Sequence, residues 1–147
     1  MIESYPNSRN VIPGQVFMTA AFRHPDDDIL RDMDAKLRDG LREITEEIGL
    51  ECEFEEIFYI APIVFADRCV NAVRNAAESR NLSARDIISG AGHDACNVAT
   101  VAPTPMIFIP CVEGISHNEI EHAYPEWVTA GGQVLLGAML ELAGGAD

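Results

Sequence analysis

The stretch PDDDILRDMDAKLRDGLREITEEIGL, Pro25 to Leu50, sets the architecture of the first half of the chain. Apolar residues recur at Ile29, Leu30, Met33, Leu37, Leu41, Ile44 and Ile48, and spacings of three and four place them on one helical stripe. Asp26 to Asp28 can offer a carboxylate to the unpaired amides of the first turn. Gly49 closes the pattern, because a glycine takes the left-handed terminal conformation without a Cβ penalty. These residues predict one long amphipathic helix with a marked start and stop.

Before it, QVFMTAAFR, Gln15 to Arg23, alternates Val16, Met18, Ala20 and Phe22 against Phe17, Thr19, Ala21 and Arg23. That two-residue period predicts a strand with Arg23 at its end. A second strand is expected after the helix, over Glu51 to Ile60. Strand, long helix, strand is half of a small α+β sandwich.

Composition changes at APIVFADR, Ala61 to Arg68, which places a boundary near Pro62. Beyond it, Asp67 to Arg80 reads as a helix on Val70, Val73, Ala76 and Ala77, followed by a short extended piece at Asp86 to Ile88. A glycine-rich turn, SGAGHDA, leads into a short helix from about Asp94. Met106 to Ile109 is a continuous apolar run of the kind buried on both faces of a sheet. The final helix starts at Pro125, a favoured first-turn residue. It is expected to turn Val128, Val134, Leu135, Ala138 and Leu142 inward and to end at Gly144-Gly145. Helices alternating with short buried strands predict a parallel sheet covered by helices.

The chain has 147 residues, 48% of them hydrophobic and 23% charged, a composition suited to a globular protein with a real core. With 24 acidic against 10 basic residues the formal charge is -14, which disfavours binding to phosphate backbones or anionic lipid. Nucleic-acid and membrane-surface roles are therefore not expected. Cys52, Cys69, Cys96 and Cys111 form no CxxC pair, so neither a zinc knuckle nor a dithiol redox motif is indicated. They read as reduced, mostly buried thiols of a cytoplasmic protein. No signal-like opening and no membrane-length apolar run occurs.

Three stretches carry candidate chemistry. In GISHNEIEH, His117, Glu119, Glu121 and His122 are potential metal ligands just past an apolar run, where sites form in open α/β sheets. Their spacing matches no compact zinc motif, and a loop of solvated polar residues has the same composition; His122 by itself reads as a surface histidine. In SGAGHDA, Gly90 and Gly92 permit positive φ or close approach to a ligand, and His93 with Asp94 would make an oriented imidazole. The alternative is a tight turn whose Asp94 caps the next helix. In PNSRNVIPG, Asn7 and Asn10 fit turn formation, while Arg23 fits either a structural ion pair or a substrate contact.

Taken in order, PNSRNVIPG, FRHPDDD, SGAGHDA, MIFIP and GISHNEIEH resemble the C-terminal part of the zinc-dependent hydantoinase/carbamoylase amidases. These include N-carbamoyl-L-amino-acid hydrolases, allantoate amidohydrolases and β-ureidopropionases, within the aminoacylase- and carboxypeptidase-like metallohydrolases. The resemblance runs over essentially the whole chain. It implies an α/β fold, with residues 1–62 as the second half of a ferredoxin-like lid or dimerisation domain and 63–147 as the C-terminal segment of the catalytic domain.

The resemblance further implies cleavage of a ureido or related C–N bond in a small carboxylate-bearing compound, with two divalent metals, zinc or manganese, per active site and a glutamate as proton shuttle. His117 matches the last metal ligand, Asn10 an amide at the substrate, and Arg23 the guanidinium that grips the substrate carboxylate. Gly92 and His93 match a loop lining the substrate pocket. Ala21 stands where an aspartate is common, and Cys111 where a serine is common. None of the residues is assigned a catalytic role, because the general base and most metal ligands of such enzymes lie upstream of the matching region. A truncated gene product, one piece of a split gene or a late start would each account for that. The implied partners are a second copy through the lid, or a missing N-terminal half. A catalytically inactive remnant serving as a dimerisation or complementing module is the alternative.

Overall fold

The computed structural model of the chain describes residues 1–144. It separates into two compact units, Met1–Pro62 and the remainder from Ile63.

In the first unit, β1 (Ile2–Tyr5) pairs antiparallel with β2 (Gln15–Met18), Ile2 opposite Met18 and Tyr5 opposite Gln15. This hairpin is the one sheet among the described residues. The Gly14 amide donates to the Tyr5 carbonyl at 2.9 Å and closes the connecting turn. β1 is absent from the sequence expectation, and β2 stops at Met18, five residues short of Arg23. Pairing continues one step past Met18, where the Thr19 amide donates to the Met1 carbonyl at 3.0 Å, and Ala20 to Arg23 form no strand.

α1 (Asp27–Ile48) forms as predicted. The Asp26 Oδ1 accepts from the Asp28 and Ile29 amides at 2.9 and 3.2 Å, and Gly49 ends the helix at φ 71°. Asp27–Arg31, Asp32–Lys36 and Asp34–Arg38 pair at i,i+4, with the acid N-terminal to the base as the helix dipole prefers. No residue of α1 is buried; Ile44 and Ile48 of its apolar stripe stay more than half exposed. The expected second strand, Glu51 to Ile60, does not form, because no strand edge pairs with it here. Side chains fix it to α1 instead. Arg38 lies 3.9 Å over the Phe54 ring and binds Glu56 at 3.2 Å, Arg31 lies 4.4 Å over Tyr59, and the Tyr59 hydroxyl donates to Asp27.

The second unit is built on α2 (Asp67–Glu78) against α4 (Pro125–Gly144), with α3 (Asp94–Ala99) between them in sequence. Ala72, Ala76, Ala77, Val134 and Ala138 form the core, flanked by Val73, Leu82 and Ile107. Small side chains let the helices approach closely. A Cβ on Gly131 would lie 2.7 Å from the Ile109 Cγ2, and one on Gly137 2.9 Å from the Ala76 Cβ.

The inward face of α4 is narrower than expected. Val134 and Ala138 are buried, whereas Val128 and Leu135 are about half exposed and Leu142 is 38% exposed. The helix reaches Gly144, and Gly145 lies outside the described residues. Met106 to Ile109 and Asp86 to Ile88 pair with no strand, so the expected parallel sheet does not form among the described residues. Asp86 is instead the ion-pair partner of Arg74. Of the four cysteines only Cys69 is buried; Cys52 is exposed and Cys96 and Cys111 are intermediate. No helix of the described residues is long and apolar enough to cross a membrane.

Candidate active-site residues

Asn10 sits in the β1–β2 turn. Its Oδ1 accepts from the Ser8 hydroxyl at 2.7 Å, which spends the carbonyl side of the amide locally and leaves the NH2 side as a donor. Arg23 follows the hairpin and is exposed. Among the described residues it takes part in no ion pair, unlike Arg31, Arg38, Arg42 and Arg74. The structural salt bridge open to it in the sequence is not made, and its planar guanidinium stays available to a carboxylate.

In the second unit, SGAGHDA leads into α3 with His93 at the N-cap position, so Asp94 belongs to the first turn and does not cap it. Gly92 has no left-handed φ and open space where a Cβ would stand. The His93 imidazole is half-buried and meets the Phe108 ring edge-on at 5.5 Å. Its Nε2 lies 2.7 Å from the Ser89 Oγ, and that oxygen accepts from the Ala91 amide at 3.2 Å. The imidazole is thus oriented by Ser89; Asp94, the partner expected from the sequence, makes no such bond.

GISHNEIEH forms a closed loop. The Val112 amide donates to the His122 carbonyl at 2.8 Å across its base. Inside it His117 is exposed, has φ 55°, and donates its backbone amide to the Glu121 Oε2 at 2.7 Å. A left-handed conformation costs a non-glycine residue roughly 1–2 kcal/mol, and the charge-assisted bond from Glu121 acts against that cost. Asn118 adds two bonds, its side chain accepting from the Ile120 amide and its carbonyl from the Glu121 amide. His122 packs edge-on against Tyr124, whose ring meets Trp127 at 4.6 Å.

The four potential ligands read from this stretch therefore separate. Glu121 is turned onto the backbone of His117, and His122 belongs to an aromatic group. Among the described residues no three His, Cys, Asp or Glu side chains converge to hold a metal ion. His117 offers a single exposed imidazole, whereas a catalytic zinc needs roughly three protein ligands. Asn10 and Arg23 belong to the first unit, and Gly92, His93 and His117 to the second.

Ser89 and Glu121 carry the geometry of their histidines, and the sequence reading assigned them no such task. Each stands four residues from its histidine, as Ser-x-x-x-His and His-x-x-x-Glu. In loops that spacing has no fixed geometric meaning, so it points to a contact only once the turns are known.

The chain divides into two compact units near Pro62, and the second carries an exposed histidine, His117, in a loop braced by Glu121. The chain belongs to the peptidase family M20/M25/M40, whose model matches residues 3–141. Within it the similarity is to hydantoinase/carbamoylase amidases. The chain superimposes on such an amidase from Burkholderia multivorans with a TM-score of 0.91 and 61% identity, over 96% of this chain and 34% of that one. It is 46% identical over 138 residues to the N-carbamoyl-L-amino-acid amidohydrolase of Rhizobium meliloti, covering 94% of this chain and 33% of that protein. It is also 37% identical over 120 residues to the allantoate amidohydrolase of Escherichia coli (strain K12), 82% of this chain and 29% of that protein. The chain thus spans about one third of the length of these relatives.

Proposed function

We propose that the chain supplies substrate- and metal-binding residues to a metal-dependent amidohydrolase that cleaves a non-peptide C–N bond in N-carbamoyl amino acids or related carboxylate-bearing ureido compounds. The observation that carries this reading is Arg23: an exposed guanidinium paired with no carboxylate among the described residues, in a sequence 46% identical to an N-carbamoyl-L-amino-acid amidohydrolase. Arg23 would take the substrate carboxylate in a two-pronged bond. The amide nitrogen of Asn10 would donate to the carbonyl oxygen as negative charge develops on it. Gly92 would allow close approach of the ligand, and the Ser89-held His93 would present its second ring nitrogen to it.

His117 would be one ligand of a divalent metal, zinc or manganese, with the other ligands and the general base contributed by residues outside these 147. Such a metal, when bound, supplies Lewis-acid polarisation of the scissile carbonyl. Residues 1–62 would then belong to the lid or dimerisation domain and 63–147 to the C-terminal segment of the catalytic domain of a cytoplasmic homodimer.

The test is complementation. The chain is co-expressed with the upstream two thirds of the Rhizobium meliloti relative, and ammonia release from N-carbamoyl amino acids and from allantoate is measured with added zinc or manganese. Restored turnover that is lost in Arg23→Ala through a raised KM, and lost in His117→Ala together with metal, supports the assignment. Full activity in either variant sinks the corresponding role.

A second reading is a non-catalytic module that pairs with another copy. The two-stranded hairpin favours it, because both of its outer edges are unpaired among the described residues and open edges template strand addition. It requires an oligomer in size-exclusion chromatography with no metal dependence.

A further inference from the structure

We propose that Glu121 is the positioning residue of His117: its carboxylate, by accepting the His117 backbone amide, holds that histidine in the left-handed conformation and so fixes the point from which the imidazole reaches a metal. The proposal rests on the reading of His117 as a ligand, but the contact itself is independent of it.

The geometry has three parts. The His117 amide meets the Glu121 Oε2 at 2.7 Å, a short bond with a charged acceptor. His117 has φ 55°, a region that a non-glycine residue keeps only when its surroundings enforce it. The Val112–His122 backbone bond of 2.8 Å closes the loop base one residue beyond Glu121, which anchors the glutamate that does the enforcing.

Glu119, two residues nearer in sequence, makes no hydrogen bond with His117 among the described residues, and it serves as the internal control. Partners that hydrogen-bond a ligating ring directly typically matter about 10–100-fold in metal affinity; Glu121 acts on its ligand through the backbone amide, so the lower end of that range is expected. Glu121 is therefore removed from the set of direct ligands that the sequence offers and placed behind one of them.

The first measurement uses the whole chain without metal: amide hydrogen exchange and proton shift of His117 by NMR, in wild type, Glu121→Ala, Glu121→Gln and Glu119→Ala. Exchange of the His117 amide is expected to speed up at least about tenfold in Glu121→Ala, to be partly restored in Glu121→Gln, whose amide oxygen still accepts, and to be unaltered in Glu119→Ala. A His117 amide that exchanges and resonates in Glu121→Ala as in wild type overturns the proposal.

The second uses the complemented enzyme and reads zinc affinity by competition with a chelator. A drop of about tenfold or more in Glu121→Ala, recovered in Glu121→Gln, is expected. Wild-type affinity in Glu121→Ala, despite a freed amide, reduces Glu121 to loop structure and overturns the positioning role. If His117→Ala itself leaves zinc binding intact, the ligand reading has failed, and the amide measurement still decides whether Glu121 sets the His117 backbone.

Discussion

Ser89 and His93 are joined by a hydrogen bond of 2.7 Å between the serine Oγ and the imidazole Nε2, while the same oxygen accepts the Ala91 amide at 3.2 Å. A hydroxyl that accepts from a fixed amide is polarised toward donating its own proton, since bonds in such a chain reinforce one another. The expected state is therefore Ala91 N–H to Ser89 O–H to His93 Nε2, with the neutral ring carrying its proton on Nδ1. Nitrogen-15 NMR of the neutral ring should show the Nδ1–H form in wild type and lose that preference in Ser89→Ala. A ring protonated on Nε2 in wild type would make Ser89 an acceptor and reverse the direction of the chain.

The packing of α2 on α4 predicts opposite outcomes for two glycines of one helix. At Gly137 a Cβ would stand 2.9 Å from the Ala76 Cβ and 2.6 Å from the Arg80 Nη1. Gly137→Ala should therefore lower stability by about 1–2 kcal/mol, overpacking outweighing the helix propensity gained. At Gly132 nothing lies within 4 Å, and Gly132→Ala should add up to about 1 kcal/mol from propensity. Urea midpoints of the two variants decide it; equal effects would mean that the helices do not pack at this distance.

Asp26 is the start signal of α1, with its Oδ1 on the Asp28 and Ile29 amides. Asp26→Ala should cost about 1 kcal/mol and Asp26→Asn much less, because asparagine also caps well. Far-UV circular dichroism across a urea series gives both numbers. An Ala variant as stable as wild type would show that the ion pairs along α1 hold the first turn without the cap.

The Tyr59–Asp27 contact should respond to pH on both sides. The hydrogen bond from Tyr59, with help from Arg31, lowers the Asp27 pKa, and the same bond to Asp27 raises that of Tyr59. For Asp27 the folded value lies below the unfolded one, so its contribution is present above about pH 4 and is lost as pH falls through the folded value. For Tyr59 the folded value lies above the unfolded one, so its contribution is present below about pH 10 and is lost as pH rises through the folded value. Absorbance titration of wild type against Tyr59→Phe should show the Tyr59 phenol ionising above the ordinary tyrosine value of about 10. A Tyr59 phenol that ionises at the ordinary value would mean that the bond to Asp27 is not kept in solution.

What the sequence determined by itself is what depends on neighbours along the chain. The start of α1 at Asp26, its stop at Gly49, the entry to α4 at Pro125 and the short helix at Asp94 are all local signals, because caps and helical periodicity act within four residues. The ordered run of five motifs likewise pointed to the amidase family, with which the match over residues 3–141 agrees.

Strands were legible only as patterns. Glu51 to Ile60 and Met106 to Ile109 have the composition of strands, yet a strand exists only when another edge supplies its hydrogen bonds, and none does here. The same limit applied to burial on α4, where periodicity marks an apolar face but its partner decides which part of that face leaves water. Tertiary structure alone decided that His93 leans on Ser89 and not on Asp94, that Glu121 serves the His117 backbone, and that Arg23 forms no ion pair among the described residues. Each of those depends on where a loop folds back, and a loop's path is set by contacts that no local spacing encodes.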